Sequence, residues 1–283
     1  MPIVTEDEIT SFLKMQRYGH LGIQVSRQFM HLLGINGVND IYDKFQNLEG
    51  LDFINAVLEH LKIKVDISKN DLKRIPKEGP FILIANHPLG AIDGLIMLKI
   101  LLTYHPKSMI MANFLLKKIK PISDHICAVN PFENRKDVFC SNNGLRQALN
   151  QLQSGQPLGI FPAGEVSVRA NKFIGPIHDK PWDLKSIKFI KKANVPVIPV
   201  YFHARNSHIF YWMADIHTIL QTARLPFEVI KSKNKLISVR VGNAISIADQ
   251  NGIKSIEKYG EILRSKVYML KHAFNKFKIK PFV

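Results

Sequence analysis

Three short, uninterrupted apolar runs constrain the fold of this chain more than any other feature. Each is followed by proline, glycine or polar residues, and stripes of apolar residues at helical spacing separate them. Apolar runs of this length are typical of strands that are buried on both faces of a sheet. Their alternation with helices predicts an α/β fold with a mixed, largely parallel sheet flanked by helices. The runs cover residues 81–85, 158–161 and 195–201, and the alternating segment 235–241 is a later candidate strand.

The N-terminal part of the chain carries a different pattern, which predicts helices. Thr5 and Glu8 form a capping box, and the helix that they begin is expected to run to about Tyr18. Further helices are expected over residues 22–37 and 51–62. Ile9, Phe12 and Leu13 are expected to face inward from the first helix. The second carries apolar residues at helical spacing, namely Val25, Phe29, Leu32 and Leu33.

This change of pattern predicts two parts in the chain. A helical N-terminal extension, residues 1–74, is expected to pack on an α/β domain formed by residues 75–283. The C-terminal helix carries apolar residues on one side and lysines around them, so this helix and the N-terminal helices are both candidates for membrane contact. Ordinary packing on the core is the alternative. The apolar residues of the C-terminal helix are Val267, Leu270, Phe274 and Phe277.

Charge and composition narrow the classes of partner. The 283-residue chain has a net charge of +16 and is 46% hydrophobic, so it has enough apolar residues for a sizeable core. A protein this basic favours anionic partners, which include nucleic acid, anionic lipid headgroups and acidic carrier proteins. Cys127 and Cys140 form no close pair, which indicates reduced thiols.

No targeting or spanning segment is apparent. The first ten residues lack a basic segment followed by an apolar one, so we expect no signal peptide. No apolar run approaches the roughly 20 residues of a membrane span. A protein of this kind that meets a membrane is expected to lie on its surface.

The strongest candidate for chemistry follows the first apolar run. His87 and Asp93 lie where a buried strand gives way to a helix, and ligands bind at the carboxyl ends of strands in open α/β sheets. Asp93 would orient the imidazole, and the other ring nitrogen would take a proton from an alcohol. Asn86 is a candidate substrate contact, and Gly90 is a candidate through its backbone N–H. A helix cap without chemistry is the alternative.

Two further segments offer polar groups at strand ends. Proline and glycine make a sharp turn after residue 161, and this turn is expected to expose groups that bind a polar headgroup. A solvated loop is the alternative reading of both segments. The candidate substrate-binding residues are Gly164, Glu165, Ser167 and Arg169 in this turn, and Asn130 and Arg135 after residues 126–129.

Other kinds of catalytic site have no support in the sequence. The Gly-x-Ser-x-Gly pattern of a serine nucleophile is missing, and so is a phosphate-binding glycine-rich loop. His203 and His208 are five residues apart, which does not place them on one face of a helix as metal ligands. We therefore expect neither a metal nor a cofactor.

Taken together, the segments resemble the motifs of the lysophospholipid acyltransferases, the glycerolipid acyltransferases of bacterial membranes. The resemblance covers about residues 75–202 and keeps the order of four motifs. It implies that His87 and Asp93 are the catalytic pair, that the segments with Asn130 and Gly164 bind the acceptor, and that residues 195–200 are the last apolar strand. It also implies the glycerolipid acyltransferase fold.

Departures from the family pattern indicate a subgroup. Five residues instead of four separate His87 from Asp93, and Gly90 is the natural place to accommodate the extra one. Ala163 and Val166 replace the usual Glu and Arg of the third motif. This variant is similar to the lyso-ornithine lipid O-acyltransferases and hemolysin-like acyltransferases, which act on aminolipids.

The resemblance implies transfer of a fatty acyl group from acyl-ACP or acyl-CoA to the hydroxyl of a monoacylated aminolipid. The place implied is the cytoplasmic face of the inner membrane, with an anionic membrane surface as partner and no nucleic acid. A 1-acylglycerol-3-phosphate acyltransferase of phospholipid synthesis is one alternative. A hydrolase is another, and a basic lipid- or nucleic-acid-binding protein without catalysis is the alternative from another class.

Overall fold

The computed structural model describes residues 2–129 and 138–273. Its helices are α1 (Glu6–Phe12), α2 (Gly19–Leu32), α3 (Ile35–Phe45), α4 (Gly50–His60), α5 (Lys69–Leu72), α6 (Ala91–Tyr104), α7 (Val138–Gln153), α8 (Leu184–Ala193), α9 (His208–Ile216), α10 (Thr218–Lys231), α11 (Ile247–Asn251) and α12 (Ile256–Ala273). Its strands are β1 (Lys64–Ile67), β2 (Ile82–Ala85), β3 (Met109–Asn113), β4 (Ile126–Val129), β5 (Leu158–Ile160), β6 (Val168–Asn171), β7 (Ile174–His178), β8 (Val197–His203) and β9 (Leu236–Val241). Three 3-10 segments are Gln16–Tyr18, Phe114–Lys118 and Lys120–His125.

A seven-stranded sheet organises these elements. Its strand order is β1-β9-β8-β2-β5-β3-β4, and every neighbouring pair is parallel except the antiparallel pair β8–β9. The predicted α/β fold with a mixed, largely parallel sheet is therefore confirmed. Strands β2, β3, β4, β5 and β8 all point the same way, so their carboxyl ends lie along one edge of the sheet.

The central strand β2 explains the uninterrupted apolar run in the sequence. Leu83 and Ala85 face one core cluster, which α4 and α6 cover. Ile82 and Ile84 face the other cluster, which α8 and α12 cover. All four side chains are fully buried, and complete burial of a leucine or isoleucine side chain contributes about 1.5–3 kcal/mol. Both faces of the sheet are covered, so no position of the strand tolerates a polar residue.

The first helix departs from its predicted length. The capping box of Thr5 and Glu8 is present, but α1 ends at Phe12 and the chain reverses through Lys14, whose φ is 55°. The reversal brings Met15 so close to α2 that a Cβ on Gly22 would lie 2.2 Å from the carbonyl oxygen of Met15. As a result Phe12, predicted to face inward, is 67% exposed.

The second predicted helix is divided in two. Residues 22–37 were expected to form one helix, but α2 ends at Leu32 and α3 begins at Ile35. Gly34 lies between them with φ of 73°, and a Cβ there would lie 2.6 Å from the Cα of Phe227 in α10. The break lets α10 approach the backbone closely. Leu32, one of the apolar residues at helical spacing, is 64% exposed, whereas Met30 is buried.

The N-terminal region contributes a strand as well as helices. β1 pairs in parallel with β9 at one edge of the sheet, although this part of the chain was predicted to be entirely helical. Its side chains alternate between exposed and half-buried, as on a strand at a sheet edge. Lys64 and Asp66 interrupt the apolar pattern, which hid the strand in the sequence. The division of the chain at residue 74 stays a prediction.

The C-terminal helix is part of the core over its described length. Leu263 and Val267 are fully buried against the sheet cluster that includes Ile187 of α8. This packing accounts for the apolar side of α12 without a membrane. Phe274 and Phe277 lie outside the described residues. Within residues 2–129 and 138–273, no helix is both long and apolar enough to cross a membrane.

Candidate active site

His87 and Asp93 meet at the carboxyl end of the central strand. β2 ends at Ala85, and Asp93 lies in the first turn of α6. Nδ1 of His87 is 3.2 Å from Oδ1 of Asp93. The contact is an ion pair when the imidazole is protonated, and its geometry is looser than that of a regular hydrogen bond. Hydrogen bonds of this kind are often long in free enzymes and tighten when substrate binds.

Asp93 is held by the start of its own helix. Its carboxylate is fully buried and accepts backbone N–H groups of Leu89 at 2.8 Å and Gly94 at 2.9 Å. A carboxylate in the first turn of a helix is also stabilised by the helix dipole. These contacts leave Oδ1 beside the imidazole, where the charge of Asp93 stabilises the protonated ring.

Gly90 accommodates the five residues between the pair. Its φ is 85°, and a Cβ at this position would lie 2.7 Å from Cδ2 of Leu225 and 3.1 Å from Cγ2 of Val166. A side chain here would be strained by the positive φ and would displace the side chain of Leu225, so glycine is favoured at this position. The tight backbone turns Asp93 back towards His87.

His87 has one open side. Its ring stacks on Phe161 with centroids 4.0 Å apart, and 17% of its side chain is exposed. Burial disfavours the charged ring, but the attraction of Asp93 and of Asp179 outweighs it and raises the pKa of His87 above 6.5. With Nδ1 directed to Asp93, Nε2 is the nitrogen that remains to exchange a proton with a ligand.

Asn86 joins two strands beside this pair. Its amide nitrogen donates to the carbonyl oxygen of Phe202 at 3.1 Å, and its amide oxygen accepts the N–H of Phe202 at 2.7 Å. The side chain is buried and holds the end of β2 to β8. A substrate contact by Asn86 stays a prediction.

The turn after β5 differs from its prediction at two residues. Ser167 was expected to be exposed, but it is buried and donates from Oγ to Oδ1 of Asp179 at 2.6 Å. Arg169 was also expected to be exposed, but its side chain is only 13% exposed and pairs with Asp215 at 2.7 Å. Both groups are partners of buried carboxylates because the hairpin β6–β7 folds back over the turn.

The other two candidates of this turn are exposed. Glu165 forms an ion pair with Lys180. Gly164 has φ of 68°, and its N–H donates to the carbonyl oxygen of Phe161 at 3.0 Å. That bond occupies the N–H that was a candidate for stabilising an oxyanion. Asn130 and Arg135 lie outside the described residues.

Asp179 is the residue of this site that the sequence did not point to. Its fully buried carboxylate accepts three hydrogen bonds. The donors are the backbone N–H of His87 at 3.1 Å, Oγ of Ser167 at 2.6 Å and Nε1 of Trp182 at 3.1 Å. The N–H of Ser167 in turn donates to the carbonyl oxygen of His87 at 2.8 Å. Asp179 therefore joins the first and third motifs. It lies 92 residues from His87 and follows the second strand of a hairpin, so no local pattern marks it.

Other chemistry is limited by what surrounds the site. Burial raises the pKa of Cys127 to about 12, so its thiol is not a nucleophile at neutral pH. Over the described ranges, 2–129 and 138–273, no three His, Cys, Asp or Glu side chains lie close enough together to hold a metal ion. An apolar cavity of about 90 Å³ reaches Ala91 and Gly94, on either side of Asp93 in sequence. Helices α3, α4 and α6 supply much of its lining.

Comparison with known proteins agrees with this arrangement. Two curated relatives are both named lyso-glycine lipid O-acyltransferase. The protein of Bacteroides thetaiotaomicron is 26% identical over 275 residues, which cover 95% of this chain and 97% of the relative. The protein of Phocaeicola vulgatus is 24% identical over 262 residues, which cover 90% of each.

A solved structure and a family model were also matched. The 1-acyl-sn-glycerophosphate acyltransferase PlsC of Thermotoga maritima is 17% identical, with a TM-score of 0.45 over 92% of this chain and 88% of that chain. A likeness this distant adds nothing to the argument. The family model described as Acyltransferase matches residues 16–276. The match spans most of the sequence, and the chain therefore belongs to this acyltransferase family.

Proposed function

We propose that the protein is an O-acyltransferase that moves a fatty acyl group from a thioester to the hydroxyl of a monoacylated aminolipid. The observation that carries the proposal is the contact of His87 with the fully buried Asp93 at the carboxyl end of the central strand. Membership of an acyltransferase family supports the reaction class. The names of the two relatives, which cover nearly the whole chain, support an acceptor of the lyso-glycine lipid type.

The arrangement suits a general-base mechanism. Nε2 of His87 takes the proton of the acceptor hydroxyl, and the alkoxide oxygen adds to the thioester carbonyl. The tetrahedral intermediate then expels the thiolate, which takes the proton from the imidazolium. A carbon–oxygen bond forms, a carbon–sulfur bond breaks, and the imidazole is neutral again. Asp93 stabilises the charged ring between these two proton transfers.

The third motif supports an acceptor without a glycerol phosphate. Arg169 is paired with Asp215 and mostly buried, so its guanidinium is not available as a phosphate contact in this conformation. Glu165 of the same turn forms a partly exposed ion pair with Lys180, which follows the hairpin, and this pair offers an ammonium and a carboxylate to a headgroup that carries both an amino-derived and a carboxylate function. The apolar cavity beside α6 is the candidate place for the acyl chain.

The donor and the place of reaction are parts of the same proposal. An acyl-ACP or acyl-CoA thioester supplies the acyl group, and the net charge of +16 favours either acidic donor. A lipid acceptor supports a reaction at a membrane surface, and the face that we propose is the cytoplasmic face of the inner membrane.

The test is a reconstituted reaction with defined acceptors. Purified protein is incubated with acyl-CoA or acyl-ACP and with lyso-glycine lipid, lyso-ornithine lipid or 1-acylglycerol-3-phosphate, and the lipid products are separated. We expect a diacylated aminolipid from the wild type and none from His87→Ala. His31→Ala, which removes an exposed histidine of α2, is the matched control and should retain the activity.

Three outcomes would contradict the proposal. Free fatty acid as the only product would identify a hydrolase. Acylation of 1-acylglycerol-3-phosphate alone would identify the phospholipid branch. Equal turnover by His87→Ala and the wild type would remove His87 from the mechanism.

A further inference from the structure

The hairpin β6–β7 and the helices α9 and α10 expose large apolar side chains next to the candidate active site. Each of the residues concerned is at least 48% exposed, although side chains of this kind are normally buried. We call this set the hairpin–α9 face. Its members are Phe173, Ile174, Ile209, Trp212, Ile216 and Ile219.

The apolar side of α9 is not a continuation of the core. Ile209, Trp212 and Ile216 follow each other at spacings of three and four residues, which places them on one side of the helix. The core-facing side is formed by Phe210 and Tyr211, which are almost completely buried. The helix is therefore apolar on two sides, and only one of them is covered by residues of the described ranges, 2–129 and 138–273.

One carboxylate holds the hairpin against α9. Oδ2 of Asp215 accepts hydrogen bonds from the guanidinium of Arg169 at 2.7 Å and from the backbone N–H of Phe173 at 3.0 Å. Phe173 has φ of 64°, an unfavourable conformation for a bulky residue, and its ring is 53% exposed. The turn of the hairpin thus carries an outward aromatic ring at a position where bulky residues are uncommon.

The face lies beside the catalytic segment. Leu225 of α10 contacts Gly90, and the amide of Asn206, just before α9, donates to the carbonyl oxygen of Leu89 at 3.4 Å. The hairpin begins at Val168, directly after Ser167, whose N–H is bonded to His87. A partner on this face would therefore lie near the segment that carries His87 and Gly90.

The two segments that carry the face expose charged side chains of one sign. Over residues 166–178 and 204–231 the only acidic side chains are Asp215 and Glu228, which are 6% and 1% exposed and engaged with Arg169 and Arg224. The exposed charged residues of the same segments are all basic, namely Lys172, Arg205 and Lys231. Exposed apolar side chains on segments whose exposed charges are all basic complement an anionic lipid surface.

We propose that the hairpin–α9 face docks the protein onto an anionic lipid bilayer, with Phe173, Ile174 and Trp212 entering the interfacial region. An exposed tryptophan with aliphatic neighbours is suited to the depth where headgroups meet acyl chains. Bound in this way, the enzyme would take its acceptor from the membrane without releasing it into water. The proposal rests on the proposed function only for the lipid nature of the acceptor.

The first experiment measures vesicle binding of the full chain. Vesicles are made of phosphatidylcholine alone or of an equimolar mixture with phosphatidylglycerol, and bound protein is recovered by flotation. In the triple variant Ile174→Ser, Trp212→Ser, Ile216→Ser we expect binding to the anionic vesicles to fall by about tenfold or more, since buried apolar area sets the strength of interfacial binding. The matched control, Leu184→Ser, Leu236→Ser, Met269→Ser, replaces similarly exposed residues outside the face and should bind like the wild type.

A second measurement does not depend on lost binding. Trp182 is buried and Trp212 is exposed, and they are the two tryptophans of the chain. Anionic vesicles should therefore shift the fluorescence of Trp212 to shorter wavelength. The shift should be absent in Trp212→Phe, which keeps an aromatic ring and should retain most of the vesicle binding.

The outcomes separate this proposal from its competitors and from the proposed function. Unchanged vesicle binding by the triple variant would overturn the docking proposal. So would a triple variant that binds vesicles normally but no longer dimerises or no longer binds acyl carrier protein, since the face would then serve a protein partner. Vesicle binding through this face without any acyl transfer would support the docking surface and refute the proposed function alone.

Discussion

Asp179→Asn tests whether a buried carboxylate positions His87. The Asp179 carboxylate receives His87 N and Ser167 Oγ at Oδ1, and Trp182 Nε1 at Oδ2. Asparagine keeps the shape but has a single acceptor oxygen. If that oxygen stays at the Oδ1 position, the indole N–H of Trp182 faces an NH₂ group. A buried donor without an acceptor costs about 1–3 kcal/mol, so we expect the free energy of unfolding to fall by about that amount.

The same substitution removes a charge that acts on His87. Asp179 is one of the groups that raise the pKa of His87, together with Asp93. A general base works only as the neutral ring, so activity rises as the pH passes the pKa of His87. Without the charge of Asp179 that pKa falls. The rising limb of kcat/KM against pH should therefore move to lower pH in the variant, and a purely structural role of Asp179 would not move it.

A double-mutant cycle measures the free-energy cost of leaving the indole N–H of Trp182 without an acceptor. Trp182→Phe removes the indole N–H, so Asp179→Asn should lower the free energy of unfolding by less in that background. Urea unfolding of the four proteins should give a coupling energy of about 0.5–3 kcal/mol between the two substitutions. Asp183→Asn is the matched control. Asp183 caps α8 from an exposed position, and asparagine caps a helix about as well as aspartate. The reasoning is refuted if the two substitutions add within about 0.5 kcal/mol and the pH limb stays in place.

Three further predictions follow from the site. Asp93→Asn should lower kcat/KM by about 10²–10⁴-fold, because the charge beside Nδ1 is lost, and acylation assays should show this with the protein still folded. Because the pKa of His87 is raised on folding, its ionisation contributes stability that is complete below about pH 6.5 and lost as pH rises through the folded pKa. Chemical unfolding at several pH values should show this dependence in the wild type and not in His87→Ala. Val57→Phe adds volume beside the apolar cavity, so it should shift the preference of the enzyme towards shorter acyl thioesters. The free energy of unfolding should fall by about 1–3 kcal/mol. An unchanged chain-length profile in acylation assays would contradict this use of the cavity.

The strands and caps were predictable because their signals are local. The run 81–85 is apolar at every position because β2 is covered on both faces. The strand predicted over residues 235–241 corresponds to β9, whose alternate apolar side chains lie in the core. The capping box of Thr5 and Glu8 involves residues three apart, and the structure contains it. Each of these features depends on a few neighbouring residues and on no distant partner.

Predictions about burial in the N-terminal helices were less successful. Phe12 and Leu32 have helical spacing with other apolar residues, yet both are exposed. Spacing shows that one side of a helix is apolar, but the partner that covers that side comes from the tertiary fold. The strand β1 was missed because an edge strand has alternating polar residues and pairs with β9, more than 160 residues away in the chain.

The sequence by itself determined the α/β architecture, the family motifs and the pairing of His87 with Asp93 around a glycine at residue 90. These depend on hydrophobic periodicity and on residues within one turn. Only the tertiary structure decided that Ser167 and Arg169 turn inward to Asp179 and Asp215, and that an apolar face lies outward beside the site. The physical reason is that a buried carboxylate is satisfied by whichever donors the fold brings to it, and sequence distance does not encode that choice.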